Sequence, residues 1–382
     1  MAFGFNTRAL RIPHDPVTGA VVHPIHQSTT YVQDDVGVLR GEFEYARVAS
    51  PTRTALQHQL ASLEGAAHAQ TFPSGLSASD VLLRAVVRAG GEVLLPNDVY
   101  GGTYRLLDKV LSQFGIGYRV VDQTDLDATA AAVEAAPAGS AIWVETPTNP
   151  MLRLADIAAI SELGRAHGVP VLVDSTMASP YLQQPLALGA SAVLHSSTKY
   201  LSGHSDALGG VVATNDDALA EELGFLANAV GAAGGPFDSW LIARGAKTLG
   251  VRMDRHCANA LAVAEMLQEH PKVLQVFHPG LPDDPGHELA QRQMSGKGGG
   301  VVSFRVSGGA EAAARVARGT ELFTLAESLG GVESLLDVPA QMTHAAAQDS
   351  TLAPPDDLIR LSVGIEDAAD LLADLERALT AA

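Results

Sequence analysis

The stretch that decides the fold is Ala192–His204, which reads AVLHSSTKYLSGH. Its first three residues are apolar and indicate the end of a buried strand, after which small and hydroxylated residues surround one lysine, Lys199. A lysine beside a buried strand is costly unless it is paired, or unless desolvation lowers its pKa and makes it a nucleophile. Ser196 and Thr198 lie two positions apart, so on an extended backbone both hydroxyls would point the same way and could bind one anion. A solvated surface charge is the competing interpretation of Lys199.

A second strand ends in an acid upstream of this lysine. Residues 170–176 read PVLVDST, a nearly continuous apolar run that stops at Asp174. Such runs are typical of parallel strands buried on both faces, and ligands of open α/β sheets bind at the carboxyl edge. An acid and a lysine at two such edges indicate pyridoxal phosphate, with the lysine joined to the cofactor and the acid keeping the pyridine nitrogen protonated. Asp174 could instead cap the following helix.

The composition is that of a globular chain. Its 382 residues are 47% hydrophobic and 18% charged, with a formal net charge of −18. The excess of acids disfavours nucleic acid and anionic membrane surfaces as partners, because both require basic patches. The one cysteine cannot form an internal disulfide, residues 1–11 lack a signal-peptide core, and no run approaches the ~18 apolar residues of a membrane span. We therefore expect a cytoplasmic protein with no membrane or nucleic-acid partner.

Three segments are predicted along the chain. Residues 1–50 contain many prolines and few periodic runs, which indicates an N-terminal arm that packs on something else, such as another subunit. Residues 51–246 alternate short buried strands with helices, which is typical of an α/β domain with a parallel sheet. Residues 247–382 begin with a long amphipathic run and continue with strands and a closing helix, which indicates a smaller α+β domain.

Two helices have clear predicted ends. Ser50 is a suitable N-cap, Pro51 suits the first helical turn, and Gly65 ends the same helix. Asp156 and Gly168 bound a second helix in the same way.

Polar loops at other strand ends suit the same cofactor. The motif FPSGLS leads into a helix whose N–H groups could bind phosphate, and Gly75 would permit close approach. In DVYGGT, Tyr100 could stack on a pyridine ring. In ETPTNP, Asn149 offers donors and an acceptor for a phenolate or a carboxylate. For each motif, an ordinary turn is the alternative interpretation.

An arginine stands inside an apolar strand of the smaller domain. It is Arg360, in the run IRLS, and a second polar motif, ESLGG, begins at Glu327. A buried guanidinium needs a partner, which could be a substrate α-carboxylate or a structural ion pair.

Competing motifs are incomplete. Ser196–Lys199 matches the S-x-x-K motif of acyl-serine enzymes, but neither S-D-N nor K-T-G is present. The run GKGGG at residues 296–300 lacks the P-loop pattern and precedes a strand. The pairs His23/His26 and His195/His204 have no cysteine or carboxylate to complete a metal site, so no metal is predicted.

Together, these motifs resemble the Cys/Met-metabolism family of pyridoxal-phosphate enzymes, over a match that extends from about residue 5 to residue 379. The motifs that carry the resemblance are SSTKY (196–200), DST (174–176), YAR (45–47), YGGT (100–103), ETPTNP (145–150) and ESLGG (327–331). The resemblance implies the aspartate-aminotransferase-like fold (fold type I), an α/β architecture with a mostly parallel sheet and a smaller C-terminal α+β domain. It also implies a homotetramer built from two active dimers.

The resemblance assigns roles to individual residues. Lys199 would be the Schiff-base lysine and proton shuttle, Asp174 would pair with the pyridine nitrogen, and Tyr100 would stack on the ring, all three being catalytic. The other cofactor contacts would come from Gly75, Leu76, Thr176, Ser196 and Thr198, and from Tyr45 and Arg47 of a neighbouring subunit. The amino-acid substrate would be bound by Asn149, Ser328, Arg360, Glu327, Glu44 and Arg105.

Within the family, the chain is similar to transsulfuration enzymes that act at the γ-carbon. We expect cysteine to replace the acyl group of an O-acylhomoserine and give cystathionine, with γ-elimination of cystathionine to cysteine, 2-oxobutyrate and ammonia as the alternative. Glu44 and Glu327 would bind a distal ammonium group in either reaction. Two departures from the family pattern, Ala49-Ser50 for Gly-Asn and Ser175 for Asn, could shift local geometry. A non-catalytic aminotransferase-like protein and an acyl-serine hydrolase are more remote alternatives.

Overall fold

The computed structural model describes residues 3–343 and 352–382. The strands are β1 (Gln33–Asp35), β2 (Val38–Leu39), β3 (His68–Phe72), β4 (Glu92–Pro96), β5 (Gly117–Val121), β6 (Ala141–Glu145), β7 (Val171–Asp174), β8 (Ala192–His195), β9 (Gly210–Thr214), β10 (Val273–Phe277), β11 (Val301–Val306), β12 (Thr324–Leu325), β13 (Leu335–Asp337) and β14 (Leu358–Ser362). The helices are α1 (Phe5–Leu10), α2 (Pro51–Glu64), α3 (Gly75–Val86), α4 (Gly101–Arg105), α5 (Leu126–Glu134), α6 (Ile157–His167), α7 (Ser179–Leu182), α8 (Asp217–Val230), α9 (Pro236–Ala246), α10 (Leu249–Glu269), α11 (His287–Gln293), α12 (Gly309–Gly319) and α13 (Ala368–Ala381).

A seven-stranded sheet has the order β3-β9-β8-β7-β6-β4-β5. The strands from β8 to β5 are parallel, so their carboxyl ends meet at one edge, whereas β9 runs antiparallel to both β8 and β3. The predicted, mostly parallel sheet is confirmed. The reversed direction of β9 was not predicted, because its fully buried run GVVAT reads like any strand covered on both faces.

Alternate residues of the central strands enter two separate hydrophobic clusters. In β7, Leu172 packs with Trp143 and Leu194 on one face, while Val171 and Val173 pack on the other. All five of these side chains are almost completely buried. Because neither face meets water, the strand ends are rigid supports for the loops that follow them.

The predicted ends of two helices are confirmed. The Ser50 hydroxyl accepts a hydrogen bond from the Arg53 N–H at 3.4 Å, Pro51 occupies the first turn of α2, and Gly65 ends the helix with φ +66°. Asp156 caps α6, and Gly168 ends it with φ +68°.

A five-stranded sheet, ordered β10-β11-β14-β13-β12, lies in the C-terminal part of the chain. Its strands pack against α10, α12 and α13 around a third hydrophobic cluster. In this sheet β14 is central, and it pairs antiparallel with β13 so that Arg360 lies opposite Asp337. The domain division at residue 247 stays a prediction.

The first 50 residues contain α1 and the short hairpin β1-β2, neither of which was predicted. A six-residue helix is too short to show a clear period, and its contacts are distant along the chain: the Phe5 ring packs on the Tyr181 ring with centroids 5.2 Å apart, and the Ala9 carbonyl accepts from Gln59 at 2.7 Å. Several apolar side chains of the segment remain exposed, among them Val17 (88%), Val21 (83%) and Val36 (97%).

Candidate active site

A cavity of about 290 Å³ lies at the carboxyl edge of the seven-stranded sheet, where it meets β14 of the second sheet. It is lined by Ser74, Gly75, Leu76, Ser79, Tyr100, Thr103, Glu145, Asn149, Asp174, Thr176, Met177, Leu194, Ser196, Thr198, Lys199, Leu208, Glu327, Ser328, Leu329, Thr343 and Arg360. Most of the candidate residues from the sequence are therefore brought to one place.

The N-terminus of α3 forms one wall of the cavity. Ser74 caps the helix by accepting a hydrogen bond from the Ser77 N–H at 3.1 Å. A Cβ on Gly75 would lie 2.7 Å from the Cβ of Ser196, so only glycine leaves this corner open. The first N–H groups of a helix have no partner within the helix, which makes this corner suitable for a phosphate.

The backbone around Ser196 and Thr198 is not extended as the sequence argument assumed. The strand stops at His195, and residues 197–200 form a turn in which the Lys199 N–H donates to the Ser196 carbonyl at 3.2 Å. Both hydroxyl residues still line the cavity. The Thr198 hydroxyl donates to the Gly209 carbonyl at 3.1 Å and accepts from the Gly209 N–H at 3.0 Å.

The amine of Lys199 is largely withdrawn from water. Its Nζ donates a hydrogen bond to Ser328 Oγ at 2.6 Å. Burial lowers the pKa of Lys199 to about 8, and the positive charge of Arg360 acts in the same direction. Asp337 and Glu327 oppose this effect. A lysine with this pKa has a useful neutral fraction near neutral pH and can act as a nucleophile or base.

Two acids that line the cavity end neighbouring strands. Asp174 of β7 and Glu145 of β6 are in register, and Asp174 Oδ1 accepts a hydrogen bond from the Thr176 N–H at 2.9 Å. Burial raises the pKa of Asp174. Burial and the neighbouring Asp174 raise the pKa of Glu145 well above its usual range.

Glu145 positions two of the predicted site residues. It accepts the backbone N–H of Tyr100 at 3.0 Å and that of Asn149 at 3.1 Å. Sequence analysis placed Glu145 only at the end of a strand and missed this role, although an acid after a buried apolar run was a usable signal. Burial raises the pKa of the Tyr100 phenol, and Arg105 lowers it in part.

Arg360 is 2% exposed and lies at the centre of a polar network. Its Nη2 donates to Asp337 Oδ2 at 2.5 Å and to the Ser328 carbonyl at 3.2 Å, and its Nη1 donates to Asn149 Oδ1 at 2.6 Å. Its Nε has no hydrogen-bond partner among the described residues. The structural ion pair considered in the sequence analysis is thus present, and the Nε donor remains for a ligand.

Asp337 was missed by the sequence analysis. Burial raises its pKa to about 6, and Arg360 opposes that rise. In the sequence, its run LLD shows only an acid at the end of a short strand. The pairing of β13 with β14, which places Asp337 opposite Arg360, is visible only in the structure.

Four candidate residues do not line the cavity of a single chain. Tyr45 is 40% exposed, and the guanidinium of Arg47 lies 5.1 Å from its ring centroid and donates to Asn228 Oδ1 at 2.9 Å. Glu44 and Arg105 are also exposed and outside the lining.

Residues at the cavity fit pyridoxal phosphate. The corner between Gly75 and Ser196 suits its phosphate, the withdrawn amine of Lys199 suits its aldehyde, and Asp174 suits a protonated pyridine nitrogen. The described residues contain no group of three or more histidines, cysteines or acids arranged to bind a metal ion. No described helix is both long and apolar enough to cross a membrane.

Comparison with known proteins agrees with this arrangement. The model of the family described as Cys/Met metabolism PLP-dependent enzyme matches residues 7–380. The chain belongs to this family. It is therefore a pyridoxal-phosphate-dependent enzyme, as the sequence motifs indicated.

Family members similar to this chain include both synthases and lyases. The chain is 56% identical to a cystathionine gamma-synthase of Mycobacterium tuberculosis, over 98% of this chain and 96% of that protein. It is 49% identical to a cystathionine beta-lyase of Lactococcus lactis, over 96% of each chain. A solved structure of cystathionine gamma synthase from Xanthomonas oryzae pv. oryzae, in complex with aminoacrylate and cysteine, matches with a TM-score of 0.95 at 41% identity, over 100% of this chain and 98% of that one. These similarities confirm the predicted fold type.

The buried ion pair predicts a large effect on stability. Asp337→Asn leaves the guanidinium of Arg360 without its carboxylate, so we expect the free energy of unfolding to fall by about 3–5 kcal/mol. Denaturant unfolding followed by circular dichroism measures this change. The matched control is Asp34→Asn, because Asp34 pairs at 2.7 Å with Arg40 and the two side chains are 51% and 67% exposed. The control should lose about 1 kcal/mol or less, and equal losses in the two variants would contradict the interpretation.

The lowered pKa of Lys199 predicts how the apoprotein captures its cofactor. Only a neutral amine attacks an aldehyde, so the rate of pyridoxal phosphate capture should rise with pH through a midpoint near 8. Stopped-flow absorbance between pH 6 and 10 measures the profile. A Lys199→Ala chain is the negative control. A rate that still rises at pH 10 without levelling off, as the ordinary lysine pKa of 10.5 requires, would show that Lys199 is not desolvated.

Proposed function

We propose that this enzyme catalyses γ-replacement, in which cysteine displaces the acyl group of an O-acylhomoserine and forms cystathionine. The observation that carries the proposal is the bridge made by Ser328, whose Oγ accepts from Lys199 Nζ at 2.6 Å and whose carbonyl accepts from Arg360 at 3.2 Å. A carboxylate bound at Arg360 would therefore bring the α-carbon of an amino acid close to the amine of Lys199. High identity to proteins named cystathionine gamma-synthase supports the choice of reaction.

The cofactor site is proposed to use three groups of residues. Gly75, Leu76, Ser196 and Thr198 would bind the phosphate, with Thr176 holding Ser196 through its hydroxyl, which accepts the Ser196 N–H at 2.8 Å. Asp174 would pair with the pyridine nitrogen, and Tyr100 would lie against the ring. When bound, pyridoxal phosphate supplies an aldehyde that joins to amines and a ring that withdraws electrons.

The remaining steps follow from groups that the chain itself supplies. Arg360 and Asn149 would hold the substrate carboxylate and orient the α-carbon toward Lys199. Lys199 Nζ would accept the α-proton and then exchange protons at the β-carbon, which its pKa of about 8 permits near neutral pH. The acyl group would leave from the γ-carbon as a carboxylate, and the thiolate of cysteine would form the new carbon–sulfur bond there.

Glu327 supports a substrate or product with a distal ammonium group. It lines the cavity, and its negative charge raises the pKa of Lys199. Cystathionine carries a second amino-acid end, so the same acid serves γ-elimination of cystathionine, the second candidate. The two outcomes differ in whether a thiol or water is the final nucleophile, and a tenfold preference requires only about 1.4 kcal/mol.

Substrate choice gives a direct test of the proposed reaction. The enzyme should form cystathionine from O-succinyl- or O-acetyl-L-homoserine with cysteine, because both esters offer a leaving group at the γ-carbon. Product formation is followed by chromatography, with 2-oxobutyrate measured in parallel. Rapid 2-oxobutyrate release from cystathionine alone, with no cystathionine made from either ester, would replace the synthase assignment with the lyase.

We further propose that the active site is shared between two subunits of a homotetramer built from two active dimers. Tyr45, Arg47 and Glu44 would reach the cavity of the neighbouring chain. Support comes from the exposure of these residues and from the exposed Val17 and Val21 of the same N-terminal segment. Exposed apolar side chains that are concentrated in one segment, as they are here, are unusual on a surface that contacts only water.

Mixed subunits test the sharing. Arg47→Ala and Lys199→Ala chains should each be nearly inactive alone, since each removes one half of every site. Equal mixing with subunit exchange should restore about a quarter of the wild-type specific activity, because half of the dimers are hybrids with one intact site. Native mass spectrometry verifies the exchange. Hybrids that form and remain inactive would exclude a shared site.

A further inference from the structure

Helix α10 carries a buried polar stripe, which we define as Arg252, His256 and Asn259. Their spacing places them on one helical face, and they are 4%, 0% and 2% exposed. Each side chain donates hydrogen bonds to backbone carbonyls outside the helix. Burying such polar groups is costly unless those bonds are made, so the stripe has a specific structural task.

Arg252 holds the turn that follows Lys199. Its Nη1 donates to the Tyr200 carbonyl at 2.7 Å, and its Nη2 donates to the carbonyls of Gly245 at 2.9 Å and Leu201 at 3.4 Å. Its Nε donates to the Thr248 hydroxyl in the same region at 3.0 Å. Among the described residues, no carboxylate pairs with this buried cation. The guanidinium therefore binds backbone carbonyls of the turn and of the end of α9, and it is not part of an ion pair within the described part of the chain.

The turn has no room to move away from this contact. The Gly203 N–H donates to the Lys199 carbonyl at 2.8 Å and closes the turn. A Cβ on Gly203 would strike the guanidinium of Arg252, and a Cβ on Gly245 would strike the Ser202 carbonyl. Because Tyr200 is bonded directly to Lys199, fixing the Tyr200 carbonyl also fixes the point from which the lysine side chain extends.

The other end of the stripe holds the segment that follows β14. His256 Nδ1 donates to the Val363 carbonyl at 2.7 Å, and Asn259 Nδ2 donates to the carbonyls of Gly364 at 3.0 Å and Glu366 at 2.9 Å. These carbonyls follow shortly after Arg360. Burial lowers the pKa of His256 to about 4, so the ring stays neutral at ordinary pH and brings no charge into the core.

We propose that Arg252 and Asn259 are positioning residues for two different parts of the reaction, Arg252 for Lys199 and Asn259 for Arg360. The proposal rests on the roles proposed above for Lys199 and Arg360. Loss of Arg252 would misplace the amine and slow proton transfer, whereas loss of Asn259 would loosen the strand that binds the substrate carboxylate. One helix thus keeps the two groups at a fixed separation.

Kinetics of three variants separate this proposal from a purely structural role. In Arg252→Met we expect kcat to fall about 10–100-fold with KM changed less than about twofold, and Arg252→Lys should recover part of the loss. In Asn259→Leu we expect KM for the O-acylhomoserine to rise about tenfold with kcat changed less than about threefold. If Arg252→Met does not fold, Arg252→Lys provides the same comparison.

A matched control is available in Gln59. Its Nε2 donates to the carbonyls of Ala9 at 2.7 Å and Ala243 at 3.2 Å, it is fully buried, and neither of these hydrogen bonds goes to the Lys199 turn or to β14. Gln59→Leu should lower the melting temperature and leave kcat and KM unchanged. If Arg252→Met and Asn259→Leu behave like this control, or if both alter kcat and KM in the same pattern, the proposal is wrong.

Two readouts do not depend on γ-replacement. In Arg252→Met apoprotein, water reaches Lys199 more easily, so the midpoint of pyridoxal phosphate capture should move above pH 8. The same midpoint should not move in Asn259→Leu.

In Asn259→Leu holoenzyme, the dissociation constant for L-norvaline, which has no γ-leaving group, should rise about tenfold by spectral titration. An unmoved capture midpoint in Arg252→Met or an unchanged norvaline affinity in Asn259→Leu overturns the corresponding half. If both readouts change as expected while the wild type makes no cystathionine, the proposed reaction fails and the positioning roles stand.

Discussion

Withdrawal of one amine from water governs how this site is built. Lys199 loses hydration at the end of β8, and Arg360 nearby disfavours its charged form further. The guanidinium of Arg360 is itself buried, so it needs a compensating acid, and Asp337 on the adjacent strand supplies it. The second sheet therefore does more than cover the cavity, because Arg360 favours the neutral amine of Lys199 while its partner Asp337 partly offsets that effect.

A second pair of acids lies at the carboxyl ends of β6 and β7. Glu145 and Asp174 end adjacent strands, and the negative charge of Asp174 raises the pKa of Glu145. Backbone N–H groups of Tyr100 and Asn149 stabilise Glu145, while the Thr176 N–H stabilises Asp174. A protonated pyridine nitrogen would complete this arrangement. The negative charges of the two acids favour a cationic ring nitrogen next to them.

Sequence reasoning succeeded where chemistry is encoded locally. Lys199 and Asp174 each follow a recognisable buried strand, and Gly75 begins a helix, so the fold places them together once the sheet is known to be parallel. Asp337 and Arg252 were missed because their meaning lies in partners that are distant along the chain. The turn after β8 was also missed, since threonine is common in strands while serine favours turns, and the run SST therefore fits either conformation.

The reversed strand β9 has a consequence for how such an enzyme can change. Lys199 lies between β8 and β9, and Thr198 is bonded to Gly209 just before β9 begins, so both ends of the lysine segment belong to one sheet. Arg360 belongs to the other sheet. Mutations in the second sheet can thus alter the contacts to an amino-acid substrate while the backbone that carries Lys199 stays fixed in the first sheet. Because Arg360 also acts on the pKa of Lys199, such changes adjust the reactivity of the lysine without moving the segment that holds it.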